Sequence, residues 1–453
     1  MKEEKPRDLA LKILNELTLK YRYSVNYLDD VFQRHPYLDD RDRAFISHLV
    51  QGVLRWRLRL DWVIGQFVDF PLTKIDLPVL NILRLALYQI FFLDKVPESA
   101  AVNEAVNQVK WNRGARHVTS FVNGLLRNIC RQKDRIAFPD RDGDKANYMS
   151  VFYSYPRWLV DKWLRELGEQ VAEELLSAQN NFPDLNIRTN TLKISRSRLI
   201  EYLANEGITG EPSPYAPEGI LLKGFRGRVD ELTAFKRGLF QVQDQAAQIA
   251  SYLIAPQSGD SVLDICAGFG GKSTHMAALM GEEGQVLALD MNRGRLVSLE
   301  NNSRRLGVTN IRSIVADASS SLSSLLRRKF KRAVVDAPCS GLGVISRHPD
   351  SKWNRDENDI GRLANLQRMI MDEAASVIQR GGNILYVTCT ISKDENEDVV
   401  KHFLYRNKDI FLENLKEHIP EWGLNLIDGQ GFYRTFPSIH NMDGFFAALF
   451  TKN

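Results

Sequence analysis

From about Phe235 onward, short runs of β-branched and aliphatic residues alternate with helix-length amphipathic stretches. That alternation admits little besides βαβ units on a largely parallel sheet. It predicts strands at Ser261 to Ile265, Gln285 to Asp290, Ile311 to Ala316, Arg332 to Asp336 and Asn383 to Thr388. Each leads into a glycine, acidic or cysteine residue. In open α/β sheets ligands sit beyond the carboxyl ends of the strands, so these residues are expected to converge on one crevice.

The chain before Phe235 has a different rhythm. From Arg7 to about Arg131, apolar residues recur at helical spacing, as in Ala10-Leu11-Ile13-Leu14-Leu17, which predicts a helical bundle. Residues Ile136 to Lys145, rich in Asp, Arg, Gly and Pro, read as a linker. At 453 residues the chain exceeds what one core serves, so three regions are expected: a helical domain over 1–140, a small α+β linking subdomain over 141–234 and an α/β domain over 235–453. Net charge is only +4, so any nucleic-acid surface must be a local patch. Arg41, Arg43, Arg55, Arg57 and Arg59, then Lys110, Arg113, Arg116, Arg127 and Arg131, read first as solvated helix faces. Their alternation with Trp56 and Trp111 suits phosphate and stacking contacts with RNA.

Cys130, Cys266, Cys339 and Cys389 have no pairing or metal-ligand spacing, which predicts reduced thiols, no metal site and a cytoplasmic protein. No apolar run is long enough to span a bilayer, and the charged start of the chain is unlike a signal peptide. Cys130 and Cys266 read as small buried hydrophobes, and His275 and His348 as structural.

The first α/β strand runs into Cys266-Ala267-Gly268-Phe269-Gly270-Gly271-Lys272, whose glycines permit a tight turn and close ligand approach. The run lacks G-x-G-x-x-G, and Cys266 stands where a P-loop needs its first glycine, which disfavours a phosphate cradle. Asp290 ends the second strand, suited to ribose hydroxyls, and Asp317 follows the third, suited to an adenine amino group. With Asp336 closing the fourth, the set favours S-adenosylmethionine. Each aspartate alone reads as a helix cap or turn residue.

The fourth strand delivers Asp336-Ala337-Pro338-Cys339 and the fifth delivers Thr388-Cys389-Thr390, so two cysteines leave neighbouring strand ends. This pairing, with Glu395-Asn396-Glu397 and the closing Arg434 to Phe446 stretch, resembles the Sun (Fmu) family of RNA cytosine-5 methyltransferases. The helical third resembles a NusB-like RNA-binding domain. Arg347-His348-Pro349-Asp350-Ser351-Lys352-Trp353 resembles the stretch after the Pro-Cys motif in family members that act on small-subunit ribosomal RNA.

The resemblance implies a Rossmann-like class I S-adenosylmethionine-dependent methyltransferase domain behind an all-α NusB-like domain and a small α+β linking subdomain. Cytosine C5 is a poor nucleophile, so methylation there needs a thiolate adding at C6. The resemblance assigns that thiolate to Cys389 and release of the enzyme to Cys339. Asp336 is expected to offset charge on the ring, with Lys272 beside it or the substrate. The expected partner is small-subunit ribosomal RNA, unassembled or in an early particle, and the expected state a monomer.

Transfer RNA or large-subunit RNA as substrate, and a degenerate, non-catalytic RNA-binding protein, are the competing readings. A DNA cytosine methyltransferase, which takes its nucleophile from the Pro-Cys motif, fits less well. One departure stands out: the family usually shows Cys-Ala-Ala-Pro-Gly-Gly-Lys, and here Gly268-Phe269 replaces Ala-Pro. That frees a φ angle and puts an aromatic ring near the cofactor.

Overall fold

Amphipathic spacing and well-placed caps make the first half of the molecule helical, as described by a computed structural model covering residues 4–19, 24–112, 114–281 and 283–453. The helices are α1 (Pro6–Leu19), α2 (Ser24–Arg34), α3 (Asp40–Gly65), α4 (Leu77–Phe92), α5 (Glu98–Trp111), α6 (Arg116–Gln132), α7 (Lys145–Tyr153), α8 (Arg157–Leu167) and α9 (Glu169–Ala178). Asp39 caps α3 by accepting from Asp42 N–H, and Asp144 caps α7 through Asn147 N–H. Leu14, Ile46, Val50, Leu83, Leu87, Val122 and Ile129 are among the buried side chains of one core.

The chain divides into two compact units. The first holds Met1–Asn181 together with Ile345–Arg355, and the second holds Phe182–Val344 and Asp356–Asn453. By compactness α7 to α9 group with the bundle. The Asp- and Gly-rich stretch that reads as a linker is tied to α3 near its start, through both the N–H and the carbonyl of Ala137. Trp62 Nε1 donates to Ala137 O (2.9 Å) and Ala137 N–H donates to Gln66 Oε1 (3.1 Å). Arg59 of α3 lies 4.8 Å from the Phe138 ring and 4.6 Å from the Phe152 ring.

Ile345–Arg355 also packs inside this first unit. Lys352 is fully buried, and its ammonium donates to Arg55 O (3.1 Å), Ser154 O (3.2 Å) and Asn180 Oδ1 (2.7 Å) over the Tyr155 ring (3.5 Å). Burial drives the Lys352 pKa well below the usual lysine range. Trp353 Nε1 donates to Leu54 O (2.6 Å), and Arg57 lies over the Trp353 ring at 5.3 Å. Arg55 is buried, its pKa pushed down to about 10 by burial, and it donates to Ser346 O. Arg55, Arg57 and Arg59, which read first as a solvated helix face, are therefore buried (Arg55) or half-buried (Arg57, Arg59) in this unit, and Trp56 stacks on Phe92 at 4.7 Å.

The second unit begins with an antiparallel sheet in the order β2-β3-β1-β4, from β1 (Leu185–Thr189), β2 (Gly210–Pro212), β3 (Gly219–Leu222) and β4 (Phe240–Val242). Two helices, α10 (Arg196–Asn205) and α11 (Thr233–Lys236), accompany it. The main sheet follows: β5 (Ser261–Ile265), β6 (Gln285–Asp290), β7 (Ile311–Val315), β8 (Phe330–Asp336), β9 (Ile378–Thr388), β10 (Ile410–Glu413), β11 (Tyr433–Arg434) and β12 (Phe446–Lys452). Its order is β10-β12-β9-β8-β5-β6-β7, with β11 paired to β12.

Strands β5 to β9 are mutually parallel, and β12 runs antiparallel between β9 and β10. The helices are α12 (Gln245–Leu253), α13 (Gly271–Leu279), α14 (Arg293–Leu306), α15 (Leu322–Leu326), α16 (Glu357–Val377), α17 (Glu397–Arg406) and α18 (Pro437–His440). All five strands drawn from sequence are present, β8 and β9 starting two and five residues earlier than drawn and β7 ending one residue sooner. This is the doubly wound architecture expected of the C-terminal region, with an antiparallel edge added by β10 to β12.

Candidate functional site

Sheet register fixes the site. Ile265 pairs with both Leu289 and Val335, Asp290 with Val315, and Asp336 with Val387, so five parallel strands end along one edge. Cys266, Asp290, Asp336 and Cys389 leave the sheet there together.

Directly after β5, Cys266 adopts φ 62°, a left-handed conformation costing a non-glycine residue roughly 1–2 kcal/mol. Gly270, at φ 80°, is required by packing, because a Cβ there would lie 2.4 Å from Leu299 Cγ. At Gly268 a Cβ would meet nothing nearer than Cys266 O at 4.0 Å, so the loop is open on its outer side. Asp290 holds the turn: its carboxylate accepts from Gly268 N–H (2.9 Å) and Asn292 N–H (2.7 Å). Met291, next to Asp290 in sequence, is 74% exposed; Phe269, next to the Gly268 that Asp290 binds, is 54% exposed, and Arg295 lies 5.9 Å from its ring. A carboxylate bonded to an open glycine turn, with exposed apolar side chains following each, has the chemistry to receive an adenosine cofactor. Asp317 is exposed, and its carboxylate accepts from Ser319 N–H (2.8 Å) and Ser319 Oγ (2.6 Å), the turn-forming arrangement that an isolated aspartate suggests.

Buried at the start of α13, Lys272 donates to Asp336 Oδ2 at 2.7 Å. Burial alone would lower its pKa; Asp336, with Asp264 and Cys389 further off, outweighs burial and raises it. Asp264, on β5, is fully buried with one oxygen bonded to Ser273 Oγ, and burial pushes its pKa up to about 7.

The two cysteine sulfurs lie 3.1 Å apart. Hydrogen bonding to Cys389, followed by burial, raises the Cys339 pKa well above the usual thiol range. What brings the loops together is Glu395, fully buried. It accepts from Ser340 N–H (2.8 Å), Ser340 Oγ, Thr390 Oγ1 (3.2 Å) and Gln367 Nε2 (3.0 Å), so it bonds the residue after each cysteine and one side chain of α16. Burial raises its pKa. Gly343 N–H donates to Cys389 O (3.0 Å), and Gly444 N–H to Gly343 O (2.8 Å). A Cβ on Gly343 would lie 1.9 Å from Gly444 O.

Sequence reasoning thus selected Cys339, Cys389, Asp336 and Lys272, which the structure groups as two contacting pairs, and the Cys266–Gly271 turn joined to Asp290. It gave no role to Glu395, Gln367, Asp264 or Met291. Glu395-Asn396-Glu397 carries part of the family resemblance, but its partners stand at 340, 367 and 390, so no local pattern shows what the carboxylate bonds. His275 is buried, its pKa pushed down to about 4 by burial, and lies 3.8 Å from Glu218. Among the described residues no cluster of His, Cys, Asp or Glu is arranged to hold a metal ion, and no helix is long and apolar enough to cross a membrane.

Comparison with known proteins places this geometry. Residues 251–451 match the family described as 16S rRNA methyltransferase RsmB/F, residues 4–131 the NusB family, and residues 155–228 the ferredoxin-like domain of RsmF/B-like methyltransferases. The chain is 33% identical, over the full length of both, to a probable ribosomal RNA small subunit methyltransferase B of Bacillus subtilis. Among solved structures, PH0851 aligns with a TM-score of 0.82 at 25% identity, covering 99% of each chain. NSun6 from Pyrococcus horikoshii, solved with SFG, aligns with a TM-score of 0.58 at 27% identity, covering 66% of this chain and 99% of its own.

Proposed function

Since this chain belongs to the 16S rRNA methyltransferase RsmB/F family, we propose that it methylates C5 of a cytosine in small-subunit ribosomal RNA through a covalent adduct on Cys389. As a family member it is an S-adenosylmethionine-dependent RNA methyltransferase, and SFG, carried by the NSun6 structure, is an analogue of that cofactor. The Cys266–Gly271 turn, Asp290 and Asp317 would hold S-adenosylmethionine, which would supply an electrophilic methyl group.

The protein's own groups do the rest. The Cys389 thiolate adds to C6, and the C5–C6 π electrons move toward C5 and the ring carbonyl. Lys272 pairs with Asp336, whose carboxylate is placed to accept from the exocyclic amine of the base, and its ammonium charge lies within electrostatic reach of Cys389. The Cys339 sulfur lies within hydrogen-bonding distance of the Cys389 sulfur, close enough to exchange a proton with it. After C5 has gained its methyl it still carries its hydrogen. A base removes that proton, the C5–C6 double bond re-forms, and the thiolate departs from C6. Cys339 assists this departure.

The observation that carries the reading is the sulfur pair, 3.1 Å apart at the strand edge that also presents Asp290 and the Lys272–Asp336 pair. Cys389→Ala is expected to abolish methyl transfer, and Cys339→Ala to accumulate a protein–RNA adduct stable to denaturing gel electrophoresis. A Cys389→Ala protein with wild-type turnover overturns the assignment, and an adduct formed through Cys339 instead would mark the DNA-enzyme arrangement. The names of the relatives favour small-subunit RNA over transfer RNA or large-subunit RNA, and mapping methylated cytosines in cells lacking the gene decides it.

A further inference from the structure

Residues 327–332 read Arg-Arg-Lys-Phe-Lys-Arg, five cations in six positions, in a chain whose net charge is only +4. No Asp or Glu occurs from 318 to 335. The run leads into β8, whose far end delivers Asp336 to the catalytic edge, so these cations stand on the order of 20 Å away, at the opposite edge of the sheet. Because β5 to β9 are parallel, their amino ends share that edge. Strand β9 adds to the charge there. Phe330 pairs with Ile378 and Arg332 with Asn383, so Gln379 to Gly382 bulge out opposite Lys331, and Arg380 among them is exposed.

Carboxylates answer only part of this charge. Asp260 takes both Lys331 (3.0 Å) and Arg332. Arg328 donates to the neutral amide of Gln285 at the start of β6 (3.1 Å), and Lys329 to the carbonyl of Ser376 at the end of α16. Among the described residues, Arg327 and Arg380 have no hydrogen-bond or ion-pair partner. In the order β9-β8-β5-β6 these contacts spread the cations over about 14 Å of the edge. Phe330, the apolar member of the run, is buried with Arg328 4.6 Å from its ring, so what the run offers outward is charge.

Backbone strain points the same way. Arg327 holds φ 46°, the left-handed conformation just after α15 that a helix end commonly gives to glycine, and a side chain there costs roughly 1–2 kcal/mol. No contact of Arg327 among the described residues offsets that cost. A protein partner calls for an apolar centre, which the run does not present. A row of cations without carboxylate partners matches the closely spaced phosphates of a nucleic-acid backbone.

We propose that Arg327, Arg328, Lys329 and Arg380, at the amino-terminal edge of the main sheet, form an RNA contact that holds the phosphate backbone beyond the target nucleotide without reading its sequence. This rests on the RNA-substrate reading above and goes beyond it by naming a surface remote from the catalytic edge.

The test uses the full-length protein and a fluorescently labelled transcript of small-subunit ribosomal RNA, titrated over a series of salt concentrations. Arg327→Gly and Arg380→Ala should each make the slope of log affinity against log salt shallower by about 0.7 to 0.9. Arg327→Gly should do so while the melting temperature holds or rises, because glycine relieves the left-handed strain; damage to the fold would lower it. Affinity for S-adenosylmethionine, measured by calorimetry, should stay at the wild-type value in both. Arg406→Ala removes the same charge where Asp372 already answers it at 3.6 Å, and should leave the slope unchanged. The contact is wrong if Arg327→Gly and Arg380→Ala keep wild-type affinity and slope, or if Arg406→Ala changes the slope as much as they do. It is equally wrong if the two variants lose binding to vesicles of acidic phospholipid and none to RNA. In each of these outcomes RNA binding by the wild type leaves the substrate reading standing, whereas failure of the wild type to bind the transcript would sink both.

Discussion

Glu395→Ala is the substitution that asks most of the proposed site. The wild-type carboxylate takes donors from Ser340 N–H, Ser340 Oγ, Thr390 Oγ1 and Gln367 Nε2. Three of these have other partners in place: Ser340 Oγ and Thr390 Oγ1 lie 2.9 Å from each other, and Gln367 Nε2 also donates to Pro338 O at 2.9 Å. The Ser340 N–H loses its carboxylate acceptor in a buried place, which costs roughly 1–3 kcal/mol, and the vacated volume adds to that. Glu395→Gln keeps one oxygen for Ser340 N–H, while its amide faces hydroxyls that can turn to accept, so the loss should be about 1 kcal/mol or less. Catalysis should suffer more than stability, because the carboxylate joins Ser340, next to Cys339, to Thr390, next to Cys389. A displacement of about 1 Å between reacting groups can lower a rate about 100-fold. Thermal unfolding of both variants, with single-turnover methyl transfer and adduct trapping in a Cys339→Ala background, measures the two effects separately. An alanine variant that melts and turns over like wild type would refute the idea that this carboxylate sets the sulfur spacing; rescue by glutamine would support it.

The remaining predictions concern the cofactor loop and its surroundings. Asp264 has a folded pKa of about 7, above the usual 3.8, so its contribution to stability is complete below pH 3.8 and is lost as pH rises through 7. The wild type should therefore lose on the order of 4 kcal/mol relative to Asp264→Asn between acid and alkaline pH, and parallel stability-against-pH curves would contradict this. Asp290→Ala removes the acceptor for Gly268 and Asn292 N–H, and should weaken S-adenosylmethionine binding about 10- to 100-fold by calorimetry while the protein stays folded. Gly343→Ala must move backbone at Gly444 or Cys389, so it should lower the rate of adduct formation; unchanged kinetics would show that this loop tolerates displacement.

How much was legible in sequence depended on how local the cause was. Strands β5, β6 and β8 consist largely of aliphatic residues buried by the sheet and its flanking helices, and they read directly. Strand β11 is two residues long, and β10 only four, too short for a period to register. The cysteine pair was readable because each sulfur follows its own strand end. Glu395 stood in a quoted motif, but its role in bonding both cysteine loops was not readable, since its partners at 340, 367 and 390 are distant in sequence or set by the turn. Arg55, Arg57 and Arg59 look like an exposed basic face in one dimension. Only the folded chain shows that Arg55 is buried and that Arg57 and Arg59 lie half-buried against Trp353, Phe138 and Phe152.

The return of Ile345–Arg355 to the helical unit has a consequence for how such a gene can change. The carbonyls of Leu54, Arg55 and Ser154 receive their donors from Trp353 and Lys352, encoded some 200 to 300 codons downstream within the catalytic half. The helical half is therefore not a portable cassette: recombination that swaps codons 1 to 181 alone would part a lock from its key, and descent should keep the two stretches together.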